Sequence, residues 1–113
     1  MSMSYTQQVN LGQQALLDQC LREGVKKERA PGIYQYYLQH SGGILYLYTN
    51  ETSDKMLKEE MGFKLEGLEI EGQDDQSKVE IELGPGEEKV ISIKATGGGW
   101  KFGTSCSYGI ASV

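Results

Sequence analysis

His40 is the only histidine in the chain, and Cys20 and Cys106 are its only thiols, so any nucleophilic device would have to be built from these three residues. The smallest such device is a Cys–His pair, in which the imidazole takes the thiol proton and the thiolate attacks. Cys106 with His40 is the pairing the sequence allows, and it would make the chain a small cysteine hydrolase. The same residues have a plainer reading. His40 precedes Ser-Gly-Gly and starts a turn, while Cys106 alternates with Tyr108 and Ile110 as a small core residue does. One histidine and two cysteines 86 positions apart match neither a zinc-ligand spacing nor a disulfide framework. That thiol usage fits a reducing, cytoplasmic setting.

Oxygen ligands are more plentiful. Glu69, Glu71, Asp74 and Asp75 fall within seven positions, between two strand-like segments. Carboxylates on a loop at one end of a sandwich can collect calcium, although this spacing matches no EF-hand. These four residues are the candidate cation- or partner-binding site, and no other cofactor is expected. With calcium bound, such a loop would contact anionic lipid; without it, the same charge would suit a basic partner or keep the surface soluble. Gly97-Gly98-Gly99 lacks the Lys-Ser/Thr of a phosphate loop and reads as a hairpin. Tyr34, Tyr36, Tyr37, Tyr46 and Tyr48 crowd one region, where cross-strand packing accounts for them as well as a recognition strip would.

The elements that must position these groups follow from composition and period. In 113 residues, 38% are hydrophobic and 24% charged, which suits one globular domain. The net charge is −5, with −9 concentrated in residues 51–88, and this argues against nucleic acid as a partner. No apolar run is long enough for a membrane span, and the first residues do not form a secretory signal. Residues 1–10 are polar and are expected to be flexible. Asn10 with Gln13 has the form of a capping box, and Leu16, Leu17, Cys20, Leu21 and Val25 recur near every 3.6 residues. An amphipathic helix is therefore predicted over residues 11–29, with its basic end at Arg22, Lys26, Lys27 and Arg29 and its stop at Pro31-Gly32.

From Ile33 the period is two. IYQYYLQ and ILYLYTN are strand-like, and Leu57, Met61, Phe63 and Leu65 alternate with charged or small residues, with Glu59 the one break in the apolar row. At Gly67 the parity slips, which predicts a bend toward a second sheet. Val79, Ile81 and Leu83, then Ile91 and Ile93, then Cys106, Tyr108 and Ile110 are the expected inward residues of later strands. Twelve of the fifteen glycines fall between Gly42 and Gly109, at the intervals of a meandering antiparallel sheet. The predicted fold is mainly β: an antiparallel sandwich of six to eight short strands over residues 33–113, preceded by one helix within residues 11–30.

The order HSGGILYLYTNETSDKMLKEEMGFKLEGLEIEG, VEIELGPGEEKVISIKA and WKFGTSCSYGI resembles the accessory β-sandwich domains of calpain-type cysteine proteases, nearest to calpain-like proteins of protists. Its pieces are a turn with Tyr48, Asn50 and Thr52, an amphipathic strand, an acidic loop, and Pro85-Gly86-Glu87 before a strand. The resemblance implies a non-catalytic interaction or regulatory domain. Its partner would be another protein or another domain of the same parent, and calcium or lipid contacts would run through the acidic loop.

Overall fold

The computed structural model describes residues 11–113, with side chains from Gln14 onward. The expected flexible segment 1–10 and the capping residue Asn10 lie outside the described residues. Among the described residues one helix, α1 (Leu11–Glu23), precedes eight strands: β1 (Val25–Ala30), β2 (Ile33–His40), β3 (Gly43–Asn50), β4 (Lys55–Glu66), β5 (Leu68–Ile70), β6 (Lys78–Leu83), β7 (Glu88–Ala95) and β8 (Lys101–Ser112). They form two antiparallel sheets, a five-stranded one ordered β1-β2-β3-β7-β5 and a three-stranded one ordered β6-β4-β8. The expected β-sandwich architecture is what the chain adopts.

Two apolar layers hold it. Between the sheets lie Ile33, Ile44, Tyr46, Tyr48, Leu57, Met61, Phe63, Val79, Ile81, Leu83, Ile91 and Ile93. On the far side of the five-stranded sheet, Tyr36, Leu38, Leu45 and Leu47 meet Leu16, Leu17 and Cys20 of α1. Covered on both faces, β3 is buried along its whole length, which explains why ILYLYT carries no polar alternation. The tyrosines of β2 and β3 pack across strands, with Tyr37 and Tyr46 centroids 5.1 Å apart.

The helix ends at Glu23, short of the expected residue 29. A Cβ at Gly24 would lie 2.5 Å from the Cys20 carbonyl oxygen and 2.8 Å from that of Tyr37, so the chain there runs too close to β2 for any side chain. Residues 25–30 then form β1, with Val25 opposite Tyr37 and Ala30 opposite Ile33. Val25 and Leu21, expected on the helix's packing stripe, are exposed. Only Leu16, Leu17 and Cys20 of that stripe reach the sheet.

The predicted break at Gly67 is where the chain changes sheets. Its φ is +69°, a conformation other residues rarely adopt, and it hands β4 of one sheet to β5 of the other. The Gly84-Pro85-Gly86 turn closes with the Glu87 N–H donating to the Gly84 carbonyl at 3.1 Å. The corner after β3 is held by Asn50, whose buried amide donates to the Lys55 and Leu83 carbonyls and accepts from the Thr52 N–H and hydroxyl.

Candidate functional site on the open side of the sandwich

The sandwich is closed on one side and open on the other. The open side lies between β1, at the edge of one sheet, and β8, at the edge of the other. Burial falls away here: in β8 only Phe102 is partly buried, and the other residues are exposed. Cys106, Tyr108 and Ile110 do sit on the inward row, opposite Met61, Glu59 and Leu57 of β4. They are not core, however. Cys106 is exposed, as are Tyr108 at 48% and Ile110 at 37%. The row faces inward as its alternation predicts, but only Phe102, beside Tyr37 of β2, is partly covered.

A polar network seals the inner end of this opening. Glu59, the break in the apolar row of β4, has a fully buried side chain, and Arg29 of β1 reaches it across the sheets with its own side chain 8% exposed. The contact is bidentate, Nε to Oε1 at 2.8 Å and Nη2 to Oε2 at 3.1 Å. The Tyr48 hydroxyl donates to Glu59 Oε2 at 2.5 Å and accepts from the Gln35 amide at 2.7 Å. A buried carboxylate is costly unless its lone pairs are filled, and here three donors fill them. Burial alone would lower the Arg29 pKa, but its hydrogen bonds and ion pair with Glu59 hold it above the ordinary value. Burial, reinforced by the Glu59 carboxylate, pushes the Tyr48 hydroxyl well above the usual tyrosine range.

Outward from the ion pair, the Arg29 guanidinium lies 4.7 Å from the Tyr108 ring centroid and its Nη2 is 3.6 Å from Cys106 Sγ. Beside it a cleft of about 230 Å³ is lined by Tyr37, Tyr46, Met61, Phe102 and Cys106, among others. Sequence reasoning assigned Arg29 to a helix end and so missed its role. The signal was Glu59: an acid on an inward row demands a cation from elsewhere in the chain.

The Cys106–His40 pair is not assembled. Alternation along β2 puts His40 on the face of Tyr36 and Leu38, toward α1, whereas Cys106 faces the sandwich interior from the other sheet. The His40 Nδ1 instead accepts from the Gly42 N–H at 3.1 Å, within its own turn.

The four acidic residues are not brought to one point. Glu69 of β5 stands opposite Lys94 of β7, and Glu71 accepts from the Ser92 hydroxyl at 2.9 Å. Asp75 accepts from the Ser77 N–H and hydroxyl, which lower its pKa, and Asp74 is exposed. The loop itself is tied down by Gln76, whose side chain bonds the backbone N–H and carbonyl of Ile70. Among the described residues, no group of three or more His, Cys, Asp or Glu is placed to hold a metal ion. No helix among them is long and apolar enough to cross a membrane.

The backbone of β8 is the remaining feature of the open side. The Val113 N–H donates to the Asp54 carbonyl, which extends the β4–β8 ladder by one hydrogen-bonded pair. In an antiparallel ladder such pairs alternate, so residues 101, 103, 105 and onward bond to β4 while the even-numbered ones turn their backbone groups away. Phe102, Thr104, Cys106, Tyr108, Ile110 and Ser112 therefore present N–H and C=O groups along an edge that no strand pairs among the described residues. The other three edges are protected. β1 carries Lys26, Lys27, Glu28 and Arg29 and a bulge, β6 carries Lys78, Glu80 and Glu82, and β5 has three residues. β8 has twelve residues and one charge, Lys101, at its start.

No protein-family model, curated protein or solved structure matches the chain, and nothing in these comparisons ties it to calpain-type proteases.

Proposed function

We propose that this chain is a non-catalytic interaction module that takes a partner strand onto the free edge of β8. The observation that carries the reading is the contrast among the four edges: three bear the charges, bulge or shortness that prevent pairing, and β8 bears only Lys101, at its start. Strand addition draws its affinity from main-chain hydrogen bonds and its selectivity from alternate side chains. Here the free backbone groups and the apolar row Phe102, Tyr108 and Ile110 belong to the same residues, so one extended segment can engage both. The cleft beside Arg29 would receive side chains from that segment. The separation of His40 from Cys106 supports a binding role over a cysteine hydrolase, and the dispersal of the four acidic residues favours β8 over the acidic loop as the binding surface.

The test is a panel of neutral, extended twelve-residue peptides titrated by fluorescence anisotropy against the protein and a Thr104→Pro variant. Proline at an even position removes an outward N–H and leaves the ladder to β4 intact. Binding that the variant loses supports the reading. No binding, or binding that the variant keeps, refutes it.

A further inference from the structure

We propose that the strand added to β8 is β8 of a second copy, paired antiparallel about a two-fold axis at Cys106 to give a continuous six-stranded sheet. The inference rests on the reading of β8 as an interaction edge and adds the identity of its occupant.

The sequence of the strand is nearly symmetric about Cys106. Ser105 and Ser107 flank it, then Thr104 and Tyr108, then Gly103 and Gly109, then Phe102 and Ile110. A two-fold axis perpendicular to the sheet sets each residue opposite its symmetric counterpart in the other copy. Phe102 then meets Ile110 and Thr104 meets Tyr108 on the cleft face, aromatic and branched pairs that stabilise antiparallel strands. On the outer face serine meets serine and glycine meets glycine, so nothing bulky or charged collides. The hydrogen-bond parity agrees: Cys106 is an even-numbered residue with its backbone groups turned outward, as a residue on that axis must be to exchange hydrogen bonds with its own copy.

Charge points to the same occupant. Residues 102–112 carry no charged side chain, so β8 offers nothing to complement a charged peptide, and a copy of itself is a neutral strand of matching length. The pairing also tolerates the protein's net charge of −5. The charged β4 strands of the two copies would stand three strand spacings apart, about 14 Å, beyond the Debye length of about 8 Å at physiological salt. The edge is about 40 Å long and about 10 Å deep, or roughly 400 Å² per copy, half of a standard interface and the size of a weak association, so the affinity is sought in the micromolar range.

Sedimentation equilibrium of the full chain from about 1 to about 500 µM, a span chosen to bracket that affinity, should show a monomer–dimer equilibrium. Cys106→Lys, which opposes two ammonium groups at the axis, should weaken it by about tenfold or more. Cys106→Pro should abolish it, with the far-ultraviolet circular dichroism of both variants unchanged at low concentration. A short bis-maleimide should link wild-type protomers through the exposed Cys106 thiols, and Cys106→Ser should prevent that. A wild-type chain that stays monomeric across the range overturns the inference, as does a dimer that both variants leave intact. If the chain is monomeric yet neutral peptides still bind β8, only the choice of occupant falls. If it is monomeric and no peptide binds, the reading of the edge falls with it.

Discussion

Replacing Arg29 with methionine should be among the most damaging single substitutions in this protein. The change keeps most of the aliphatic stem and removes the guanidinium, leaving the Glu59 carboxylate fully buried with only the Tyr48 hydroxyl still donating to it. Breaking a buried ion pair from one side costs about 3–5 kcal/mol, because the remaining charge keeps its desolvation penalty and loses its partner. With about 2.1 cal/mol/K per residue of unfolding entropy over 113 residues, that corresponds to a fall in Tm of about 13–21 °C. Replacing both partners, as Arg29→Met with Glu59→Leu, removes the stranded charge and should recover most of the loss. Urea denaturation of the four proteins in the cycle, at a concentration low enough to hold them monomeric, measures the coupling directly. A single variant within about 1 kcal/mol of wild type would refute the reasoning, since it would show that Glu59 finds water or another donor. A double variant no more stable than Arg29→Met would refute it too.

Stability should fall above about pH 9, beginning as the Cys20 thiol ionises in the unfolded chain and steepening as the tyrosines do above about pH 10. Burial raises the folded-state pKa of Cys20, Tyr37, Tyr46 and Tyr48, so the folded state keeps protons that the unfolded state has lost; the stabilisation is complete below the unfolded pKa values and is lost as pH climbs through the folded ones. Denaturant melts across alkaline pH check this, and a flat profile to pH 11 would contradict it. Phe63→Ala should cost about 3–5 kcal/mol, because its ring is buried against Tyr46 between the sheets, and an unchanged Tm would place the residue outside the core. Millimolar calcium should leave the Tm of both the wild type and an Asp74→Asn, Asp75→Asn variant where it was, since the carboxylates do not converge; a rise confined to the wild type would restore the acidic loop as a calcium site.

The sequence discloses the sheets better than it discloses their edges. Period-two alternation identifies the buried rows of β4, β6 and β7, because side chains covered on one face must alternate. The slip at Gly67 marks the change of sheet: the chain passes from one sheet to the other at a residue held at positive φ, which glycine adopts at no steric cost. Two features were not legible. Alternation shows which residues share a face and says nothing of whether another layer lies over it, so Cys106, Tyr108 and Ile110 read as core. The stretch VKKERA extends a helical stripe on paper, but after Gly24, where the chain runs close to the Tyr37 carbonyl, it pairs with β2 as a strand. The candidate binding residues went the same way. Acidic density in the 69–75 segment is conspicuous, yet Glu71 and Asp75 accept from Ser92 and Ser77, Asp74 is exposed, and Gln76 holds the loop.

The buried ion pair and the free edge answer one another. An apolar pair at positions 29 and 59 would bury well in many alignments of β1 over β4, whereas Glu59 is satisfied only when the Arg29 guanidinium arrives in bidentate geometry beside Tyr48. A role in alignment would be to set where β1 lies over β4. The same guanidinium lies beside Tyr108, so the contact that terminates the core also fixes the ring at the centre of the open row. A buried ion pair adds little to stability over apolar residues of similar size, so its use here is better understood as alignment. The double variant of the first prediction separates the two roles: it should regain stability, and if alignment is the purpose, it should bind strands at β8 more weakly than the wild type does.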